Sequence, residues 1–92
     1  MHKMEAANLF ALLGDGDRVK TLKMLYMRDE LSELALKMMV GSDDSKFDED
    51  IKLLEEAELI IVKRGYETTY YPNKGKIDEL MSFISTPCGC GK

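Results

Sequence analysis

Apolar residues recur at three- and four-residue steps along most of this chain, and the steps break at polar or glycine-bearing junctions. Ala6, Leu9, Phe10 and Leu13 fall on one helical face, and Gly14 ends that stripe. Asp15 is placed to cap a second helix whose stripe is Val19, Leu22 and Leu25 or Tyr26, with Asp17 near its positive end. The polar stretch Arg28-Asp29-Glu30 then separates it from a third, short helix, capped by Ser32 and carried by Leu34, Ala35 and Met38. Val40-Gly41-Ser42 forms a turn. A fourth helix begins at Asp43, Asp44 or Ser45 and presents Phe47, Ile51, Leu54 and Ala57. Ser32 to Ala57 therefore reads as helix–turn–helix.

The period then changes. Leu59-Ile60-Ile61-Val62 is β-branched and apolar, Lys63 to Glu67 is a turn containing Gly65, and Thr68-Thr69-Tyr70-Tyr71 is a second strand that Pro72 stops. Ile77, Leu80, Met81 and Ile84 make a closing helical stripe, and Pro87 ends it. The pattern predicts a mainly α domain with a small β-hairpin, in the order of four helices, two strands and a fifth helix. That domain spans residues 1–86, and residues 87–92 form a flexible tail with a Cys-x-Cys pair.

Composition narrows this picture. Ninety-two residues with 45% hydrophobic and 33% charged content fit one globular domain with a small core. The extra apolar positions Leu9, Phe10, Leu13, Leu80, Met81 and Ile84 predict a homodimer through the first and last helices. The methionines Met24, Met27, Met38, Met39 and Met81 read as core filler. No apolar run is long enough for a membrane span. The N-terminus MHKMEAANLF has no signal-peptide core, and the two cysteines staple nothing, so a cytoplasmic location is expected.

Helix–turn–helix followed by a hairpin looks like a winged helix–turn–helix. Leu9 to Leu25, LFALLGDGDRVKTLKML, resembles the opening signature of the ArsR-type regulator family. Ile51 to Gly65, IKLLEEAELIIVKRG, is similar to that family's recognition-helix end and first wing strand, and Tyr70-Tyr71 to its second wing strand. The resemblance covers about Leu9 to Ile84. It implies a DNA-binding homodimeric transcriptional regulator with the fourth helix on DNA. Three departures stand out: Gly16 replaces the family's usual proline, the turn before the fourth helix is longer, and an acidic run replaces the family's small polar DNA-facing residues; the cysteine pair that many family sensors carry on the third helix is also missing.

The largest departure is electrostatic. DDSKFDED, Asp43 to Asp50, sets five acids against Lys46, so its net charge is −4 (one minus five) where a DNA-facing helix is expected. The whole chain is also at −4, with a pI of about 5.0, whereas nucleic-acid-binding domains usually carry a basic stripe. Asp43, Asp44, Lys46, Asp48 and Glu49 are thus candidates to face either DNA or a basic protein partner, and the run weighs against DNA. Helix capping is the structural alternative, and a hard-cation pair of Asp44 and Asp48 is a further one. On the hairpin, Lys63, Arg64 and Tyr66 are candidates for phosphate contact, with Lys74 and Lys76 beyond the second strand; a solvated turn is the alternative. Cys88 and Cys90 offer two thiolates to a soft metal such as zinc or to oxidation, with two inert thiols as the alternative. His2 reads as part of a frayed terminus. With one histidine and no phosphate-cradling glycine loop, no catalytic constellation is present, so an enzyme is not expected.

Overall fold

The structure is a computed structural model, and it describes residues 1–85. The expected tail, with Cys88 and Cys90, lies outside the described residues. Five helices, α1 (Lys3–Leu12), α2 (Gly16–Arg28), α3 (Glu33–Val40), α4 (Asp44–Glu56) and α5 (Lys74–Ser85), accompany three strands, β1 (Leu31–Ser32), β2 (Ile60–Lys63) and β3 (Thr69–Pro72). The expected order holds with one addition. The two-residue strand β1 precedes α3 and makes the hairpin a three-stranded sheet in the order β1-β3-β2.

Helix starts are set by local side chains. Asp15 accepts hydrogen bonds from the Asp17 and Arg18 amides at 2.9 and 3.4 Å, Ser32 from Ala35 at 3.2 Å, and Asp43 from Lys46 at 2.8 Å. Each satisfies an otherwise orphaned N–H of a first turn. His2, expected to fray, caps α1 by accepting from the Met4 amide at 3.0 Å. Gly41 closes α3 at φ 81°, where a side chain would be strained, and its N–H donates to Lys37.

The sheet is antiparallel throughout. Ile60 faces Pro72 and Val62 faces Tyr70, while Leu31 pairs with Tyr70 from the other side. Tyr70 therefore sits on the central strand, with its ring edge-on to Phe47 at 6.0 Å between centroids. Around this contact Leu25, Leu36, Phe47, Leu54, Leu59 and Leu80 are completely or almost completely buried. The core joins α2, α3, α4 and α5 to the sheet.

Several apolar positions are not where their spacing placed them. On α3 the buried side chains are Leu36 and Val40, whereas Leu34 and Met38 are exposed at 69% and 76%. Met27 and Met81 are also exposed, so they do not fill the core, whereas Met24 packs against it. Leu9 and Leu80, expected at a dimer interface, belong to the protomer's own core. The large exposed apolar residues on α1 and α5 are Met4, Met81, Phe83 and Ile84. No helix among the described residues is long and apolar enough to cross a membrane.

Gly16 opens α2 in open space: a Cβ there meets nothing within 4 Å, and Asp15 before it is extended at φ −102°, ψ 128°. A proline at a first helical position needs that extended predecessor and loses no helical hydrogen bond. Gly16→Pro is therefore expected to stabilise the domain by about 0.4–1 kcal/mol, by restricting the unfolded chain. Urea denaturation of the two proteins checks this, and a lower midpoint for the variant contradicts it.

Candidate recognition surface

Helix α4 stands between α2 on its inner side and solvent on its outer side. Burying Phe47, Asp50, Ile51 and Leu54 turns Asp44, Asp48, Glu49 and Lys52 outward. The acidic run is thus divided between two environments. Asp50, the last acid of the run, is 2% exposed. It accepts from Arg18 Nε at 2.9 Å and from Lys46 Nζ at 2.8 Å. Arg18 Nη1 also donates to the Leu12 carbonyl at the end of α1, at 3.0 Å.

Lys46, expected to face a partner, is turned inward instead. Besides Asp50, its ammonium donates to Asp15 at 3.0 Å and lies 3.8 Å from Asp17. These partners push the Lys46 ammonium up to about 12, chiefly through its hydrogen bonds to Asp50 and Asp15. The Lys46 bond likewise holds the Asp15 carboxyl below its usual range. Asp15, Asp17 and Asp50 bring three carboxylates within 4.8 Å of one another, the one such acid group among the described residues. Lys46 supplies the positive charge among them. Asp44 and Asp48, the pair weighed for a hard cation, are not part of this group.

With Lys46 and Asp50 removed to the interior, Asp43, Asp44, Asp48 and Glu49 remain exposed in this run, still a net of −4 (five acids less Asp50). Lys37 of α3 does not offset them freely. Its ammonium is 3.1 Å from Glu33 and 3.7 Å from Asp44, and it lies 5.5 Å from the centre of the Phe47 ring.

The wing of β2 and β3 rises beside the C-terminal half of α4. Tyr66 at its tip is fully exposed and Lys63 is exposed on β2. Arg64 is engaged: Nη1 and Nη2 donate to the two carboxylate oxygens of Glu55 at 3.0 and 2.9 Å. Between α4 and the wing lies an open cleft of about 540 Å³, lined by Glu33, Asp48, Glu55 and Glu56 against Lys52 and Arg64. Ile51, Val62 and Tyr70 supply its apolar part. The Tyr70 phenol is pushed up to about 12, first by burial and then by Glu33 and Asp48.

Lys74 and Lys76, weighed as additions to the wing, are paired with acids of the protein instead. Lys74 pairs with Asp29 and lies 5.1 Å from the centre of the Tyr26 ring, and Lys76 pairs with Glu5. Of the expected partner-facing residues, the structure leaves Asp43, Asp44, Asp48, Glu49, Lys63 and Tyr66 outward. It binds Arg64 to Glu55 and takes Lys46 inside. Arg18, Asp50, Glu33 and Glu55 are the participants that spacing did not single out. Asp50 carried one legible signal, its place three residues after Phe47 and four before Leu54, on the buried stripe.

The Asp50 contacts predict a sharp contrast within one helix. Removing one partner from a buried ion pair is strongly destabilising. Asp50→Ala is expected to cost about 3 kcal/mol, the low end of that range, because Arg18 and Lys46 retain some solvent. Asp48→Ala, on the exposed side, should stay within about 0.5 kcal/mol. Equal losses in denaturant melts would contradict this division of the run.

No protein-family profile and no curated protein matches the chain. Solved structures do. A crystal structure of a possible transcriptional regulatory protein from Mycobacterium bovis (fragment 1–100) superposes with a TM-score of 0.71 at 18% identity, over 88% of this chain and 87% of that one. A solution structure from the same organism gives 0.71 at 17% identity, over 88% and 75%. It is described as the homodimeric winged helix–turn–helix DNA-binding domain of a possible ArsR-family transcriptional regulator. With the helix–turn–helix of α3 and α4 and the wing of β2 and β3 in place, the described chain has the winged helix–turn–helix fold of those regulator domains.

Proposed function

We propose that the protein is an ArsR-like winged-helix transcriptional regulator that acts as a homodimer and holds DNA through the wing rather than by reading bases with α4. The observation that carries this is the rotation of α4. Its first two turns present Asp43, Asp44, Asp48 and Glu49 to solvent, while Lys46 is spent on Asp15 and Asp50. Bringing those acids against phosphates is unfavourable, and more so as water is excluded. Lys63 on the exposed wing is free of that conflict, and a phosphate contact there gives affinity without sequence. Dimerisation is supported by the exposed Met4, Met81, Phe83 and Ile84 on the adjacent helices α1 and α5. The solution neighbour is described as homodimeric, which fits the same assembly here.

A second use of the same surface, as a protein-interaction module for a basic partner, is favoured by the α4–wing cleft. Its four carboxylates surround an apolar floor of Ile51, Val62 and Tyr70. A lysine or arginine side chain matches that combination, with methylenes on the floor and charge at the rim.

Duplex binding followed by fluorescence anisotropy at low salt separates these uses. The parent protein is expected to bind weakly. Asp43→Asn, Asp44→Asn and Asp48→Asn together should tighten binding roughly tenfold at low salt, since three like charges near phosphates are removed. Asparagine keeps the cap at position 43. Lys63→Ala should weaken binding and flatten the salt dependence by about 0.9 in log–log slope per protomer, the value for one phosphate contact. Nanomolar binding by the parent in physiological salt, or indifference to Lys63→Ala, would count against wing-led contact.

A further inference from the structure

We propose that Glu55 withholds Arg64 from phosphate, so that the wing's arginine engages a DNA backbone only when this carboxylate is displaced or neutralised. The inference rests on the wing-led DNA contact above. It adds the residue that sets how many cations the wing offers.

Glu55 lies on the last turn of α4, and Arg64 begins the turn between β2 and β3. The sequence separation is nine residues, and the chain reversal after α4 brings the two side chains together. The contact is bidentate, at 3.0 and 2.9 Å, and uses both terminal nitrogens of the guanidinium. A carboxylate and a phosphate present the same spacing of two oxygens to that fork. Glu55 and a backbone phosphate therefore compete for the same pair of donors.

The position of the pair makes the competition accessible. The Arg64 side chain is 63% exposed and that of Glu55 34%, so exchange needs no opening of the core. Exposed ion pairs are weak in general, but a bidentate arginine–carboxylate contact is the exception, so Glu55 keeps the guanidinium from phosphate until the carboxylate is itself displaced or neutralised. Glu55 is also well held as the anion, because the Arg64 hydrogen bonds keep its carboxyl below the usual range. Glu33, Asp48 and Glu56 line the same cleft, together with Lys52. Arg64 is thus counted among the wing's cations by sequence, while in the folded protein its charge and its geometry are already answered.

Anisotropy with a mixed-sequence duplex across a potassium chloride series tests this on the full chain. The proteins are the parent, Glu55→Gln, Arg64→Ala and the double variant. Glu55→Gln is expected to bind about 3–10-fold tighter at about 50 mM salt, with a log–log slope steeper by about 0.9 per protomer for the added phosphate contact. Arg64→Ala alone should leave the parent's affinity and slope nearly unchanged. The double variant should lose the added slope. If Arg64→Ala flattens the parent's slope by about 0.9 per protomer, Arg64 already holds a phosphate; the inference then fails while wing-led contact stands. If the full gain of Glu55→Gln survives in the double variant, charge removal alone accounts for it, and the inference again fails alone. If no form binds the duplex even at about 20 mM salt, where non-specific contacts are strengthened, wing-led contact fails and the inference with it.

Discussion

At the contact between α2 and α4 a carboxylate is held almost entirely out of water. Asp50 is 2% exposed and is met by Arg18 at 2.9 Å and Lys46 at 2.8 Å. A buried charge is tolerated only when paired and hydrogen-bonded, so this side chain can point in one direction. Phe47, Ile51 and Leu54 bury the same side of the helix. Together they set the rotation of α4 about its axis, and that rotation decides which of its acids face solvent. Arg18 extends the arrangement to the end of α1 through the Leu12 carbonyl, and Asp15 ties in the start of α2. The inner ionic cluster and the outer acidic face are two sides of one helical setting.

The consequence is an unusual distribution of cations. Most of the positive charges near the helix–turn–helix are paired within the protein: Lys46 to the α2 cap, Lys37 to Glu33 and Asp44, and Arg64 to Glu55. Intramolecular pairing of this kind compacts a small acidic domain but removes donors that a phosphate backbone needs. The fold supplies the placement of a DNA-binding domain, with helix and wing side by side, while the electrostatics of this chain oppose close approach by the helix. The proposed backbone contact through the wing rests on those two facts, and the proposed alternative, a cationic peptide side chain, rests on the same acidic surface.

Much of the architecture was legible because its causes are local. Asp15, Ser32 and Asp43 cap the helices that spacing assigned to them, and Gly41 sits where the backbone turns left-handed. The two long strands pair antiparallel as their β-branched and aromatic residues indicated. What was not legible depends on distant neighbours. Helix α3 has apolar residues on two faces, and only packing chooses Leu36 and Val40 over Leu34 and Met38. Strand β1 is two residues long and carries no period. Lys46 read as an outward cation because, beside Asp50 at helical spacing, its other partners Asp15 and Asp17 lie some thirty residues earlier in the chain. Arg64 read as a free wing cation because its partner is fixed by the turn after α4, not by helical spacing.

Selection from a pool of random-sequence duplexes tests most directly whether α4 is kept from reading bases. The full chain would be carried through repeated rounds of binding and the retained duplexes sequenced. The account predicts no shared motif, with affinities staying in the non-specific range of about 10⁻⁴–10⁻⁶ M at physiological salt. A recurrent pair of half-sites about one helical turn apart, bound at about 10⁻⁸ M or tighter, would mean that the acidic face of α4 enters the major groove, and would contradict it.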